Sequence, residues 1–110
     1  MRIALCQTNS GEDAAANEEH VFGLLEHAAG EGVDLIALPE VWPLQGSAEL
    51  IRETAEPVPG PRTERLAAFA REHGVWLHGG SVLERDEEHV FNTSVLFDRE
   101  GQPVAWLRLA

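Results

Sequence analysis

Two short apolar runs, Ile3-Ala4-Leu5-Cys6 and Val33-Asp34-Leu35-Ile36-Ala37-Leu38, flank a stretch of helical periodicity within the first 40 residues. This pattern restricts the chain to folds built on parallel strands. Between the runs, Val21, Leu24, Leu25 and Ala28 fall at i, i+3, i+4 and i+7, with Glu18, Glu19 and Glu26 elsewhere on the wheel. The spacing predicts an amphipathic helix from Ala14 to Ala29, ended by Gly30 and Gly32. The first run is apolar on both faces and bounded by Asn9-Ser10-Gly11, the signature of a strand buried on both sides. The second ends at Pro39, which lacks the N–H that a central strand donates.

Downstream, Ser47 is placed to cap a short helix through Glu53, and Glu56-Pro57-Val58-Pro59-Gly60-Pro61 reads as a loop. A second amphipathic helix puts Leu66, Phe69, Ala70 and His73 on one side and stops at Gly74, after which Val75-Trp76-Leu77-His78 resumes strand character. The pattern then changes. Ser81-Val82-Leu83, Thr93-Ser94-Val95-Leu96-Phe97 and Val104-Ala105-Trp106-Leu107 are strand-like runs with no helix between them, separated by the turn-like stretches 85–88 and 98–103. The expected architecture is α/β, parallel βαβ units followed by an antiparallel meander, in one unit over residues 1–110 with no internal repeat.

Charge and cysteine count narrow the function. Eight arginines, no lysine and 19 acidic residues give a net charge of −11, which repels nucleic-acid backbones and anionic membranes. The single cysteine, Cys6, forms no internal disulfide, no targeting segment is visible, and the expected compartment is the cytoplasm. The five histidines lack His-Glu-x-x-His or any i, i+4 pairing, and neither Gly-x-Gly-x-x-Gly nor the Walker pattern occurs, so no metal and no cofactor is expected.

Glu40 is the most informative residue, because it lies just past the carboxyl end of a parallel strand, where open α/β sheets place their ligands. It reads either as a solvated loop carboxylate or as a general base desolvated by Val41, Trp42, Pro43 and Leu44. Cys6 reads as an inert core thiol rather than a nucleophile, having no basic residue nearby in sequence. His78-Gly79-Gly80-Ser81 lacks the Gly-x-Ser-x-Gly elbow of serine hydrolases. Asn92-Thr93-Ser94 suits hydrogen bonding at a strand start, and the run Glu84 to Glu88 suits a solvated turn.

Four stretches in order, Arg2-Ile3-Ala4-Leu5-Cys6-Gln7, Ala37-Leu38-Pro39-Glu40, Gly80-Ser81-Val82-Leu83-Glu84 and Asn92-Thr93-Ser94-Val95-Leu96-Phe97-Asp98, resemble the carbon-nitrogen hydrolase (nitrilase) superfamily. Pro57 to Arg62 and Trp76 to Ser81 are similar to small-carboxamide amidases of the omega-amidase or deaminated-glutathione-amidase type. The resemblance implies the N-terminal part of a four-layer α-β-β-α sandwich and a Glu, Lys, Cys mechanism on a small amide, nitrile or carbamoyl compound, with Glu40 as the matching general base. It also implies a homo-oligomer. The family's Tyr-Arg-Lys is replaced here by Leu107-Arg108-Leu109, with Leu109 in the lysine's place. The nucleophilic cysteine falls beyond Ala110, and Cys6 does not align with it. These departures imply an N-terminal portion that is inactive alone; the alternative is a short half-fold serving as a binding or oligomerisation module.

Overall fold

The computed structural model describes residues 1–109, with Leu109 described by its backbone. Ala110 and the side chain at the lysine-matching position therefore lie outside the described residues. Strands β1 (Ile3–Leu5), β2 (Leu35–Ala37) and β3 (Trp76–Asp86) run parallel, and β4 (His89–Phe97) and β5 (Pro103–Leu109) follow antiparallel. The strands sit side by side in chain order, the parallel-then-antiparallel α/β arrangement expected. Helix α1 (Ala14–Ala29) joins β1 to β2, and α2 (Ala48–Thr54) and α3 (Pro61–His73) lie between β2 and β3.

Local chemistry sets the helix ends. The Asp13 carboxylate accepts from Ala16 N at 3.1 Å and Ser47 Oγ from Leu50 N at 3.1 Å, each satisfying a donor that the first helical turn leaves free. Gly74 ends α3 at φ 61°, a left-handed position that suits glycine. The helices bury Val21, Phe22, Leu25 and Ala28 of α1 and Leu66, Phe69 and Ala70 of α3 against Ile36, Leu77, Val82, Val95 and Phe97 of the sheet. Each large aliphatic or aromatic side chain so buried contributes about 1.5–3 kcal/mol. Glu18 ties α1 to α3 through Arg62 at 3.3 Å and Arg65 at 2.9 Å, and the Arg65 guanidinium lies 3.8 Å from the centre of the Phe22 ring.

Three expectations need correction. The first run is not buried on both sides: Ala4 packs on the core, but Ile3 and Leu5 are 54% and 80% exposed. The helices cover one face of the sheet only, and a three-residue strand cannot reveal from composition which of its faces is covered. Cys6 follows β1 rather than lying within it; it is half-buried against the core, and burial pushes its thiol pKa up, in keeping with an inert thiol. The runs at 75–78 and 81–83 form one strand, β3, carried across Gly79-Gly80 by a bulge that sets these two residues opposite the single residue Val95 of β4. Among the described residues no helix is long and apolar enough to cross a membrane, and no group of three or more His, Cys, Asp or Glu could hold a metal ion.

Candidate active site

The site begins with what the bulge does to the chain leaving β2. Leu38 N donates to His78 O at 2.9 Å, continuing the parallel ladder one residue past β2, and Ser81 N donates to Pro39 O at 3.2 Å. Val41 N then donates to Ser81 Oγ at 2.8 Å, so Ser81 holds the backbone on both sides of Glu40. Trp42 inserts fully into the core and its indole N–H donates to Gly79 O at 2.9 Å. Ser10 Oγ donates to Trp42 O at 2.6 Å and Asn17 Nδ2 to Pro43 O at 2.9 Å, fixing the far end of the loop. Val41 is held at φ 48°, a strained conformation for a β-branched residue and one that clusters at functional sites.

Gly80 makes this approach possible. Its φ is 63°, and a Cβ placed there would lie 2.1 Å from Pro39 O and 2.8 Å from Leu38 O. The loop can thus sit directly on β3 only if this residue has no side chain.

Glu40 stands at the carboxyl end of β2, with parallel neighbours on both sides, and is exposed. The expected wall of apolar neighbours does not surround it. Trp42 and Leu44 are fully buried, Trp42 in the main core and Leu44 in a second cluster with Ala55 and Leu83, while Val41 is half-buried beside that second cluster. Such residues are drawn into the core because they bury more apolar area there than on an open face. Instead Glu40 borders a depression of about 120 Å³ with His78, Gly80, Ser81 and Ser94. A second depression of about 210 Å³ adjoins it, sharing His78 and Ser94 and continuing over Leu96, Ala105, Trp106 and Leu107. The arrangement offers a carboxylate able to take a proton, a ring nitrogen, and an apolar floor for a small ligand. On the opposite face, an apolar groove of about 120 Å³ between α3 and the last two strands is lined by neither Glu40 nor His78.

Sequence reasoning missed Glu84. Rather than lying in a solvated turn it sits in β3 at 2% exposure, accepting from Thr93 Oγ1 at 2.7 Å and from both Nε and Nη2 of Arg108 at 2.9 Å each. Arg108 also donates to Asp86 at 3.0 Å, and its guanidinium lies 4.4 Å from the centre of the Phe91 ring. Thr93 is therefore mid-strand and fully buried, not at a strand start. One sequence signal pointed here: position 84 is in phase with Val82, an inward-facing apolar residue.

The Arg108 hydrogen bonds, aided by Thr93 and opposed by burial, hold the Glu84 carboxyl below the usual carboxylate range. A folded pKa below the unfolded one gives stability that is fully present above about 4.3, the unfolded value, and is lost as pH falls through the folded value. Glu84→Gln is expected to cost about 2 kcal/mol at neutral pH, the worth of a charge-assisted hydrogen bond. It should also flatten the acid limb of a plot of melting midpoint against pH; an acid limb identical to that of the parent chain would contradict this role.

The carbon-nitrogen hydrolase family model matches residues 2–108. The omega-amidase of Xenopus tropicalis is 34% identical over 100 residues, covering 91% of this chain and 36% of that protein. The chain thus spans between a third and two-fifths of the length of such curated relatives. The crystal structure of Saccharomyces cerevisiae Nit3, a member of branch 10 of the nitrilase superfamily, superposes with a TM-score of 0.84 at 26% identity, over 98% of this chain and 43% of that one. An amidase from Nesterenkonia sp. AN1 superposes with a TM-score of 0.71 at 25% identity, over 98% of this chain and 42% of that one. That structure is a glutamate-to-glutamine mutant with the acetamide moiety of fluoroacetamide covalently added at its active-site cysteine. With its fold, its strand order and 107 matched residues in agreement, the chain belongs to the carbon-nitrogen hydrolase family.

Proposed function

We propose that residues 1–110 are the base-bearing part of a carbon-nitrogen hydrolase domain that converts a small carboxamide to its acid and ammonia, with Glu40 moving the protons. The observation that carries this reading is the place of Glu40: at the carboxyl end of a central parallel strand, open to solvent, and bordering a depression of about 120 Å³. In the reaction, a cysteine thiol outside these residues gives its proton to the carboxylate and attacks the amide carbon. The protonated acid then passes the proton to the departing ammonia. The same carboxylate next removes a proton from the water that opens the thioester and returns it to the departing thiolate, and a lysine compensates the charge on each tetrahedral intermediate. A substrate amide rather than a nitrile or carbamoyl compound is favoured by the omega-amidases among the relatives.

Alone, residues 1–110 supply one of the three catalytic groups, and we place the working protein in the cytoplasm as an oligomer. Two assays test the function. The purified 110-residue chain is expected to release no ammonia from acetamide or butyramide. A chimera in which residues 1–108 replace the matching segment of the Xenopus tropicalis omega-amidase is expected to release it. A folded chimera with no turnover would instead favour a non-catalytic binding module.

Self-association of the isolated chain follows from its open face, on which Leu5 and Leu107 are 80% and 59% exposed at opposite ends of the sheet. Sedimentation at micromolar concentration is expected to show species heavier than 12.1 kDa. A compact monomer would contradict it.

A further inference from the structure

Ser81 has more hydrogen-bonding capacity than the fold uses. It is 3% exposed, its Oγ accepts from Val41 N at 2.8 Å, and its N donates to Pro39 O at 3.2 Å. A hydroxyl also carries a proton of its own, and a buried one left without an acceptor costs stability. Among the described residues no acceptor takes it. The carbonyl groups of this corner already hold other donors: Pro39 O takes Ser81 N, His78 O takes Leu38 N, Gly79 O takes Trp42 Nε1 and Gly80 O takes Ser94 Oγ. Of the other side chains lining the depression, Ser94 has given its proton to Gly80 O, and His78 Nδ1 accepts from Gly80 N. The Glu40 carboxylate remains, an acceptor with room for several donors. The two groups are close. Val41 N, 2.8 Å from the hydroxyl oxygen, is two covalent bonds from the Cα of Glu40, so the hydroxyl lies within about one side-chain length of the point where the carboxylate is attached.

We infer that Ser81 is a positioning residue for the general base: its hydroxyl oxygen fixes the loop at Val41, and its hydroxyl proton holds the Glu40 carboxylate when that group turns into the depression to exchange a proton with substrate. The inference rests on the reading of Glu40 as the base and adds to it the group that aims it. Glu40 is exposed, and catalytic hydrogen bonds often tighten only with substrate in place. The contacts that carry the argument all lie between the chain leaving β2 and strands β3 and β4.

The test is a mutant cycle in the omega-amidase chimera with butyramide as substrate, each variant first shown by its melting midpoint to fold. Ser81→Ala is expected to lower kcat about 10- to 100-fold, the effect of a misplaced catalytic group, with KM within about twofold. Ser81→Thr restores the hydroxyl and is expected to stay within about threefold of the parent chimera. Ser47→Ala removes the same kind of bond, the one accepted from Leu50 N, at a site away from Glu40; kcat is expected to stay within about twofold. In the Glu40→Gln background, Ser81→Ala is expected to cost less than about twofold, because no base is left to aim. Equal slowing by Ser81→Ala in both backgrounds overturns the role of Ser81 and leaves Glu40 as the base, and so does a raised KM with kcat unchanged. Normal turnover in Glu40→Gln alone, or none in the parent chimera, overturns the reading of Glu40 and this inference with it.

Discussion

Glu40→Gln in the omega-amidase chimera is expected to slow ammonia release from butyramide by about 10²- to 10⁴-fold, the usual worth of a positioned general base. Glutamine has the shape of glutamate and cannot accept a proton, so the substitution removes the chemistry and little else. Stability should hardly move. Glu40 is exposed, and among the described residues its carboxylate takes part in no side-chain hydrogen bond or ion pair. Its backbone is held by neighbours, through Ser81 on either side and Trp42 beyond, and those contacts survive the change. The melting midpoint is therefore expected to stay within about 2 °C. The slowing should appear in kcat more than in KM, because proton transfer is needed in the transition state and not for binding. Near-normal turnover in a folded chimera would remove Glu40 from the reaction, and a large drop in melting midpoint would make its role structural.

The sequence made the position of Glu40 legible but not its surroundings, and the difference is physical. Position followed from short-range rules: a buried apolar run, a proline that ends it, and an acid directly after the carboxyl end of a strand. The helices were equally readable, because Ser47, Gly74 and the spacing of Val21, Leu25 and Ala28 act within one or two turns. The surroundings depend on pairings distant in the chain. Ser81 reaches Val41 across 40 positions, Trp42 reaches Gly79 across 37, and Arg108 reaches Glu84 across 24. No local pattern announces such pairs. Two adjacent glycines likewise read as a break between strands, whereas here they form a bulge inside one. The open face was hidden for a related reason, since apolar alternation in a three-residue strand does not record whether a second layer lies beyond it.

Gly80→Ala is expected to destabilise the fold by about 4 kcal/mol, near the upper end for a single substitution, and to lower the melting midpoint by about 20 °C. Two effects add. An L-residue at φ 63° costs about 1–2 kcal/mol by itself. The new methyl would also lie 2.1 Å from Pro39 O and 2.9 Å from Leu38 C, and these atoms are backbone, so no rotamer change can relieve the overlap. The chain after β2 must then lift off β3. That motion strains the Ser81 and Trp42 contacts that hold Val41 at its positive φ, so Glu40 and its depression are expected to be displaced together with the loss of stability. Gly23→Ala supplies the opposite result from the same chemical change. Gly23 lies in the middle of α1, and a methyl added there would meet nothing within 4 Å, so alanine is expected to stabilise by about 0.5–1 kcal/mol through helix propensity. Urea titrations of the two variants beside the parent chain distinguish the cases. A Gly80→Ala variant that unfolds at the parent's midpoint would mean that the loop does not rest on β3, and the placement of Glu40 at this site would fail with it.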